Sequence, residues 1–359
     1  MLDNLRTILQ PSELLVARLT SSARFSEGPR GVLKLILSRL FQGIIVLLVV
    51  SVLTFALLAA AGGDALTSLR NDPSVSEETI EQQRRIYGLD QPLAVRYVRW
   101  LSGVARGEMG ESVLFRAPVG TILRPRLLNT LALAFVALLL AWAVAVPIGS
   151  LAARRPRSWV DKLCGALILL TISTPRIVLA LVALAVAART SLNSIGAETA
   201  GANDTLLNLL LPAFVLSVPV MAIFLAQVRD GLAAALHEEF VQVARAKGLS
   251  ERVVALRHAL RAALNPLITI FGYSIGGLIS GSVIVERVFN RKGLGDLSVE
   301  ALHSRDVPLL MGVVLVTSTA VLVGNLLADV LLRINDPRIR EDEAKLSTSA
   351  RASTASPAA

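Results

Sequence analysis

Six separate stretches of this 359-residue chain are long and apolar enough to cross a lipid bilayer as helices. The hydrocarbon core is about 30 Å thick, which at helical rise asks for roughly 20 apolar residues. The stretches are residues 40–61, 127–151, 163–188, 206–227, 262–285 and 307–332. In lipid every backbone amide must find its partner inside the protein, so these segments are expected to be helices and not loops. One such stretch would suit a buried helix of a soluble protein, but six would not. The expected fold is all-α and integral to the membrane, with six transmembrane helices. Composition agrees, with 53% hydrophobic residues and 18% charged, against about a quarter charged in soluble domains. The first stretch begins near residue 40 and outlasts a signal peptide's apolar core, so it reads as a retained anchor.

Lys and Arg in short loops set the sidedness. Between the second and third stretches lie Arg154, Arg155, Arg157 and Lys162; between the fourth and fifth lie Arg229, Arg245, Lys247, Arg252, Arg257 and Arg261. The loop between the third and fourth carries only Arg189 beside Glu198 and Asp204. Both basic loops fall on one side together with both termini, and that side is expected to be the cytoplasm. The segment 62–126 is also rich in arginine yet falls outside, since loops of about 60 residues escape the bias.

That external segment has helix signals of its own. Ser74 and Glu77 stand at capping-box spacing, and Gly88 is a suitable end for the helix they open. Pro92 suits the first turn of a second helix reaching Val104 and bearing Tyr97 and Trp100. Such helices can cap the bundle or serve as a docking face for an external partner. Residues 1–31 read as a cytoplasmic extension, 32–340 as the membrane domain and 341–359 as a low-complexity, disordered tail. No internal repeat stands out.

Enzyme and metal signatures are poorly served. A single cysteine, Cys164, excludes a disulfide framework, and three scattered histidines make a poor metal site. There is no GxxxxGK[ST] to cradle ATP phosphates. His237-Glu238 begins like HExxH, but Val241 stands where the second histidine belongs. Gly272 to Gly276 matches GxSxG in letters alone, inside an apolar stretch where its glycines suit helix packing. The net charge of +9 fits cytoplasmic loops better than nucleic acid.

The most informative stretch is EEFVQVARAKGLSERVVALRHALRAALNP, residues 238–266. Its spacing predicts a helix ended by Gly248, a second helix capped by Ser250 from Glu251, and then Pro266 before the membrane. On spacing alone, a solvated loop whose charge fixes topology competes with a rigid knob for a cytoplasmic partner. The stretch resembles the EAA loop of ABC importer permeases, in the B-type subunit form of the peptide and nickel importers. The matching residues are Ala244-Arg245-Ala246-Lys247-Gly248-Leu249-Ser250, Arg257 to Leu264 and Pro266. Further matches are Gly88 to Pro92 with Arg96-Tyr97, the GEMGES of Gly107 to Ser112 and Glu286. Val288-Phe289, Gly293-Leu294-Gly295, Arg305-Asp306 and Asp336-Pro337-Arg338 complete the set, which spans residues 33–340. Departures are Gln242 and Val243 at the first two EAA positions, Glu108 where relatives have Asp, Arg261 in place of a proline, and Arg176 in place of an apolar residue.

The resemblance implies the type I ABC importer permease fold and one transmembrane permease subunit of an ATP-driven importer for peptides or related small solutes. It implies a second homologous permease, one or two cytoplasmic ATPase subunits that bind the ATP, and an extracytoplasmic substrate-binding protein, in a bacterial plasma (inner) membrane. The chain itself is expected to hold no cofactor or metal and to be no enzyme. Glu239, Ala244, Arg245, Ala246, Lys247, Gly248 and Leu249, within the loop 228–265, are the expected ATPase-coupling residues. Pro175 and Arg176 are candidates for the translocation path. A cation inside a span costs about 2.5–3.5 kcal/mol on insertion scales, so Arg176 should face protein or water. It can attract an anionic group there or pair with carbonyls freed by Pro175. Glu286 stands at the outer end of its span, where interfacial solvation is the plainer reading. An ATP-independent transporter or channel is the competing class; an intramembrane hydrolase through Ser274 lacks a nearby base.

Overall fold

The computed structural model describes residues 29–61, 66, 76–86, 88–189 and 202–335. The described residues form twelve α-helices and one short hairpin. In chain order these are α1 (Pro29–Ala60), α2 (Glu77–Ile86), α3 (Leu93–Ala105), β1 (Glu111–Ser112), β2 (Ala117–Pro118) and α4 (Val119–Arg154). Then come α5 (Trp159–Ser173), α6 (Arg176–Arg189), α7 (Ala202–Ala235), α8 (Glu239–Ala246), α9 (Glu251–Val253), α10 (Leu260–Val288), α11 (Leu294–His303) and α12 (Val307–Asn335). Contacts divide them into two units, one of α1 up to Val46 with α12 from Asp329, the other Leu47–Ala328. In the first, Arg39 Nε meets Asp329 Oδ2 at 2.8 Å.

Among the described residues, four helical segments are long and apolar enough to cross a membrane: Leu35–Ala60, Val119–Arg154, Leu209–Ala235 and Val307–Leu331. The expected stretch 262–285 is helical throughout, inside α10. The expected span 163–188 is not one helix. It is broken into α5 and α6, which meet at 106° and together make up a fifth apolar element. Pro175 is the cause, because the residue before a proline is pushed out of the helical region, and Thr174 is extended at φ −103°, ψ 120°. At 15 and 14 residues, each arm reaches only about 22 Å, short of the bilayer core.

Small side chains let α4 and α7 approach closely. Ala134, Ala137, Ala141, Ala145, Gly149 and Ala152 recur every three or four residues on the buried face of α4. A methyl group on Gly149 would lie 2.9 Å from Val228 Cβ and 3.2 Å from the Leu225 carbonyl. The Trp142 ring meets Phe224 and Phe271 edge-on, at 5.8 and 6.4 Å between centroids, joining α4, α7 and α10. Because Gly149 near the end of α4 meets Val228 near the end of α7, the two helices run parallel. The chain must therefore cross the bundle between them, and α5 with α6 is that crossing.

The bundle has two dissimilar ends. At one, the hairpin end, are β1–β2, the start of α4, the end of α10, α11 and the start of α12. At the other, the elbow end, are the α4–α5 turn, the end of α7 and α8–α9. The external helix signals hold in part. Ser74 lies outside the described residues; α2 starts at Glu77, with Ser76 Oγ accepting from the Thr79 amide at 3.2 Å. Gly88 ends the turn at φ +63°, and α3 follows Pro92 with Tyr97 Oη 2.8 Å from Ser51 Oγ of α1. Residues 1–28 and 336–359, including Asp336-Pro337-Arg338, and the loop 190–201 lie outside the described residues.

Candidate functional site

Helix α7 continues to Ala235, so the first residues of the segment 228–265 belong to a long helix. After a three-residue turn, α8 carries Val241 and Ala244 inward onto Leu232, Ala235, Val254, Ala259 and Ala263. Helical spacing then forces Phe240 and Val243 outward, and they are 45% and 55% exposed. Glu239, Arg245, Ala246, Lys247, Gly248 and Leu249 are exposed as well, while Ala244 is buried. Gly248 takes φ +78° with nothing within 4 Å of where a Cβ would stand, so glycine is required by the backbone and not by space. Its amide bonds the Arg245 carbonyl at 2.9 Å.

Arg245 does not reach outward. Its Nε and Nη2 donate to the two Glu251 carboxylate oxygens at 2.8 and 3.2 Å, tying α8 to α9 across the glycine turn. This pair holds the Glu251 carboxyl below the ordinary carboxylate range, chiefly through the Arg245 hydrogen bond. Ser250 has the backbone of a cap but makes no side-chain cap bond. The second helix is continuous with the bundle. From Glu251 it winds through a π-helical stretch at Val254–Ala259 and runs unbroken into α10 with Pro266 inside it. An elbow fused to a long bundle helix transmits displacement better than one that ends before the membrane. Phe240, Val243 and the 52%-exposed Leu256 were missing from the sequence-based set. Their signal was the alternation with Val241, Ala244 and Ala255, which a loop reading overlooks.

Pro175 and Arg176 stand elsewhere, at the α5–α6 break. Arg176 is half-buried, donates from Nη1 to the Gly277 carbonyl at 3.4 Å, and reaches over Gly281, where any side chain would overlap its guanidinium. Glycine in α10 thus makes a seat for the cation. Gly272 and Gly276 pack against Ala328 and Val321, and Ser274 Oγ donates to the Ile270 carbonyl, so the GxSxG letters serve packing.

The hairpin end gathers motif residues far apart in sequence. Glu286, expected at a solvated boundary, is 1% exposed. Its Oε1 accepts from Thr130 Oγ1 at 2.6 Å, and its Oε2 from the Gly295 and Asp296 amides at 2.8 and 3.1 Å, at the start of α11. A side chain at Gly293 would overlap this carboxylate, which explains the glycine there. Asp306 is fully buried. Its Oδ2 accepts from Ser112 Oγ at 2.7 Å and the Leu114 amide at 2.9 Å, and its Oδ1 caps α12 through the Leu309 amide at 3.1 Å. Asp296 accepts from Arg287 at 2.9 Å and Arg126 at 3.3 Å.

Residues 145–341 match the family described as binding-protein-dependent transport system inner membrane component, and residues 32–120 match that system's N-terminal membrane component. The chain belongs to this family. The oligopeptide transport system permease protein AppB of Bacillus subtilis is 37% identical over 314 residues, covering 85% of this chain and 98% of the relative. A Brucella suis chain with a peptide-permease name is 34% identical over 316 residues, 86% of this chain and 99% of the relative. Among solved structures, a chain of the inward-facing MetNI methionine ABC transporter aligns with TM-score 0.51 at 18% identity, covering 60% of this chain and 96% of that one. That likeness shows the fold, the type I ABC importer permease. This binding-protein-dependent permease is therefore a multi-pass membrane subunit of an ABC importer, and such systems use a substrate-binding protein and an ATPase.

Proposed function

We propose that this permease subunit imports peptides or related small solutes, sharing the path with a second, homologous permease. Its elbow, residues 236–261, seats in cytoplasmic ATPase subunits that bind and hydrolyse the ATP, while an extracytoplasmic binding protein delivers substrate at the hairpin end. The carrying observation is the elbow itself. Phe240 and Val243 are exposed apolar groups on a short helix whose opposite face, Val241 and Ala244, is locked into the bundle, and Leu249 is exposed in the turn that follows. A knob of that kind fits a groove and moves with the spans behind it. Closure of the ATPase subunits tilts α7 and α10 together and reopens the path outward.

Parallel α4 and α7 put the basic α4–α5 turn and the elbow at one end, which supports a cytoplasmic placement of that end in a bacterial plasma membrane. Pro175 and Arg176 line the path in this reading, the guanidinium drawing the carboxylate of a peptide. The peptide assignment is supported by the names of the relatives. The test is a mild-detergent pull-down of the tagged chain from native membranes, followed by peptide uptake into proteoliposomes of the recovered complex. A second permease and ATPases should come down, uptake should need ATP, and Gly248→Pro should abolish uptake while insertion persists. Recovery of the chain alone, with ATP-independent uptake, would establish a secondary transporter instead.

A further inference from the structure

The turn between α4 and α5 has properties that topology alone does not require. Arg154, Arg155, Arg157 and Lys162 fall within nine residues, all but the half-buried Arg154 exposed. Among the described residues none of the four forms an ion pair. The acids within reach are already engaged. Asp161, the acid of the turn, accepts from the Arg157 amide at 2.9 Å and meets Arg229 of α7 at 2.7 Å. Glu251, whose charge faces Arg154, is held by both arms of Arg245.

The turn is also stiff. Arg157 adopts φ +64°, a conformation an arginine keeps only when held, and the Asp161 carboxylate holds it. Ser158 Oγ caps α5 at the Asp161 amide at 3.3 Å, and the Ser158 amide bonds the Arg155 carbonyl at 3.2 Å. Directly below this cationic rim, Trp159 is 71% exposed, and Leu163, Leu167 and Leu170 follow it on the same face of α5, all exposed. A cationic rim at the end of a span, an interfacial tryptophan and an apolar stripe descending from it match the headgroup and acyl chain of one amphiphile.

We propose that the α4–α5 turn is a binding site for an anionic phospholipid, its phosphate held by Arg155, Arg157 and Lys162 and its chain laid along Trp159, Leu163 and Leu167. The stiff turn lowers the ordering cost of binding, so the site does more than respond to the general surface potential. The proposal needs only the membrane-spanning fold and stands apart from the peptide reading.

The experiment is native mass spectrometry of the full chain in mild detergent, with added phosphatidylglycerol or phosphatidylcholine of identical chains. Phosphatidylglycerol should be retained about tenfold over phosphatidylcholine, and Arg155→Gln with Arg157→Gln should abolish the preference. The Arg155→Lys, Arg157→Lys pair should keep most of it, which also shows that the turn tolerates replacement. Asp161→Ala adds net positive charge while removing the acceptor that holds the Arg157 amide. It should weaken retention, whereas a mere charge effect would strengthen it. Equal retention of the two lipids, an unchanged preference in the double glutamine variant, or full displacement of the lipid by inorganic phosphate would overturn the proposal. So would loss of ATPase co-purification, with no change in lipid retention, in that double variant.

Discussion

The two ends of the bundle use charge in opposite ways. At the hairpin end Glu286, Asp296 and Asp306 are 1%, 2% and 0% exposed, and each carboxylate is spent on hydroxyl, amide or guanidinium donors. On the elbow itself, α8–α9, the charged groups are solvent-facing, and the buried contacts are apolar, Val241 and Ala244 against Leu232 and Val254. A buried, saturated carboxylate fixes a loop in one place. The exposed Phe240 and Val243 fix nothing inside the chain and are left facing outward. Residues that build the fold are thus set apart from residues left facing outward, although both ends carry family motifs.

The sharpest way to break this comparison is Glu286→Ala. It strands the Thr130 hydroxyl and the Gly295 and Asp296 amides in a buried place, where each unpaired donor costs about 1–3 kcal/mol. A loss of several kcal/mol, at least three, is expected. Thermal unfolding of the purified chain should show a large drop, with α11 losing hydrogen-exchange protection first. A variant that melts like wild type would mean that the carboxylate is not what holds α11 to α4.

Asp306→Asn is milder, because one oxygen survives. The amide nitrogen must then face either the Ser112 and Leu114 donors or the Leu309 amide, and it can satisfy none of them. An expected cost of about 1–3 kcal/mol follows, read as earlier protease cleavage at the hairpin 111–118. Uptake, if the elbow is intact, should fall only in proportion to folded protein.

Much of this was legible in the sequence, and the exceptions have physical reasons. Hydropathy located the long helices α1, α4, α7, α10 and α12, because lipid leaves the backbone few options, but not the short buried α11. It could not show that Pro175 bends its span by 106°, since a proline in a helix can kink it, break it or pass, as Pro147 and Pro266 do here. Arg176 was legible as a costly residue, but its seat on Gly281 depends on the register of two helices distant in sequence. Glu286 was misplaced for a similar reason. Its partners are Thr130, Gly295 and Asp296, and nothing local announces that a loop will fold over it. The elbow was readable from Gly248 and Ser250, whereas the outward pair Phe240 and Val243 became visible only with Val241 and Ala244 seen to face inward.

At the elbow end the stability effects shrink while the functional ones grow. Gly248→Ala meets no neighbour within 4 Å, so its cost is the left-handed backbone alone, about 1 kcal/mol. Thermal unfolding should shift slightly, yet ATP-driven uptake should fall severalfold, because the turn sets the angle of α8. A normal rate would mean that the elbow angle does not transmit force.

The smallest stability effect belongs to Glu251→Gln. The pair it forms with Arg245 is fully solvent-facing, so its removal should leave the melting temperature of the chain unchanged. Its effect is local and depends on pH. The folded carboxyl sits below its ordinary range, so the pair contributes above that range and is lost as pH falls through the depressed value. In wild type, hydrogen exchange at Lys247 to Ser250 should therefore quicken on acidification, beyond the ordinary chemical dependence, and more so at low salt than at high salt. In Glu251→Gln the same amides should already exchange faster at neutral pH and show no further step. A step that survives the substitution would assign the acid response to another group, and the turn would then be held by Gly248 and its backbone bonds without help from the ion pair.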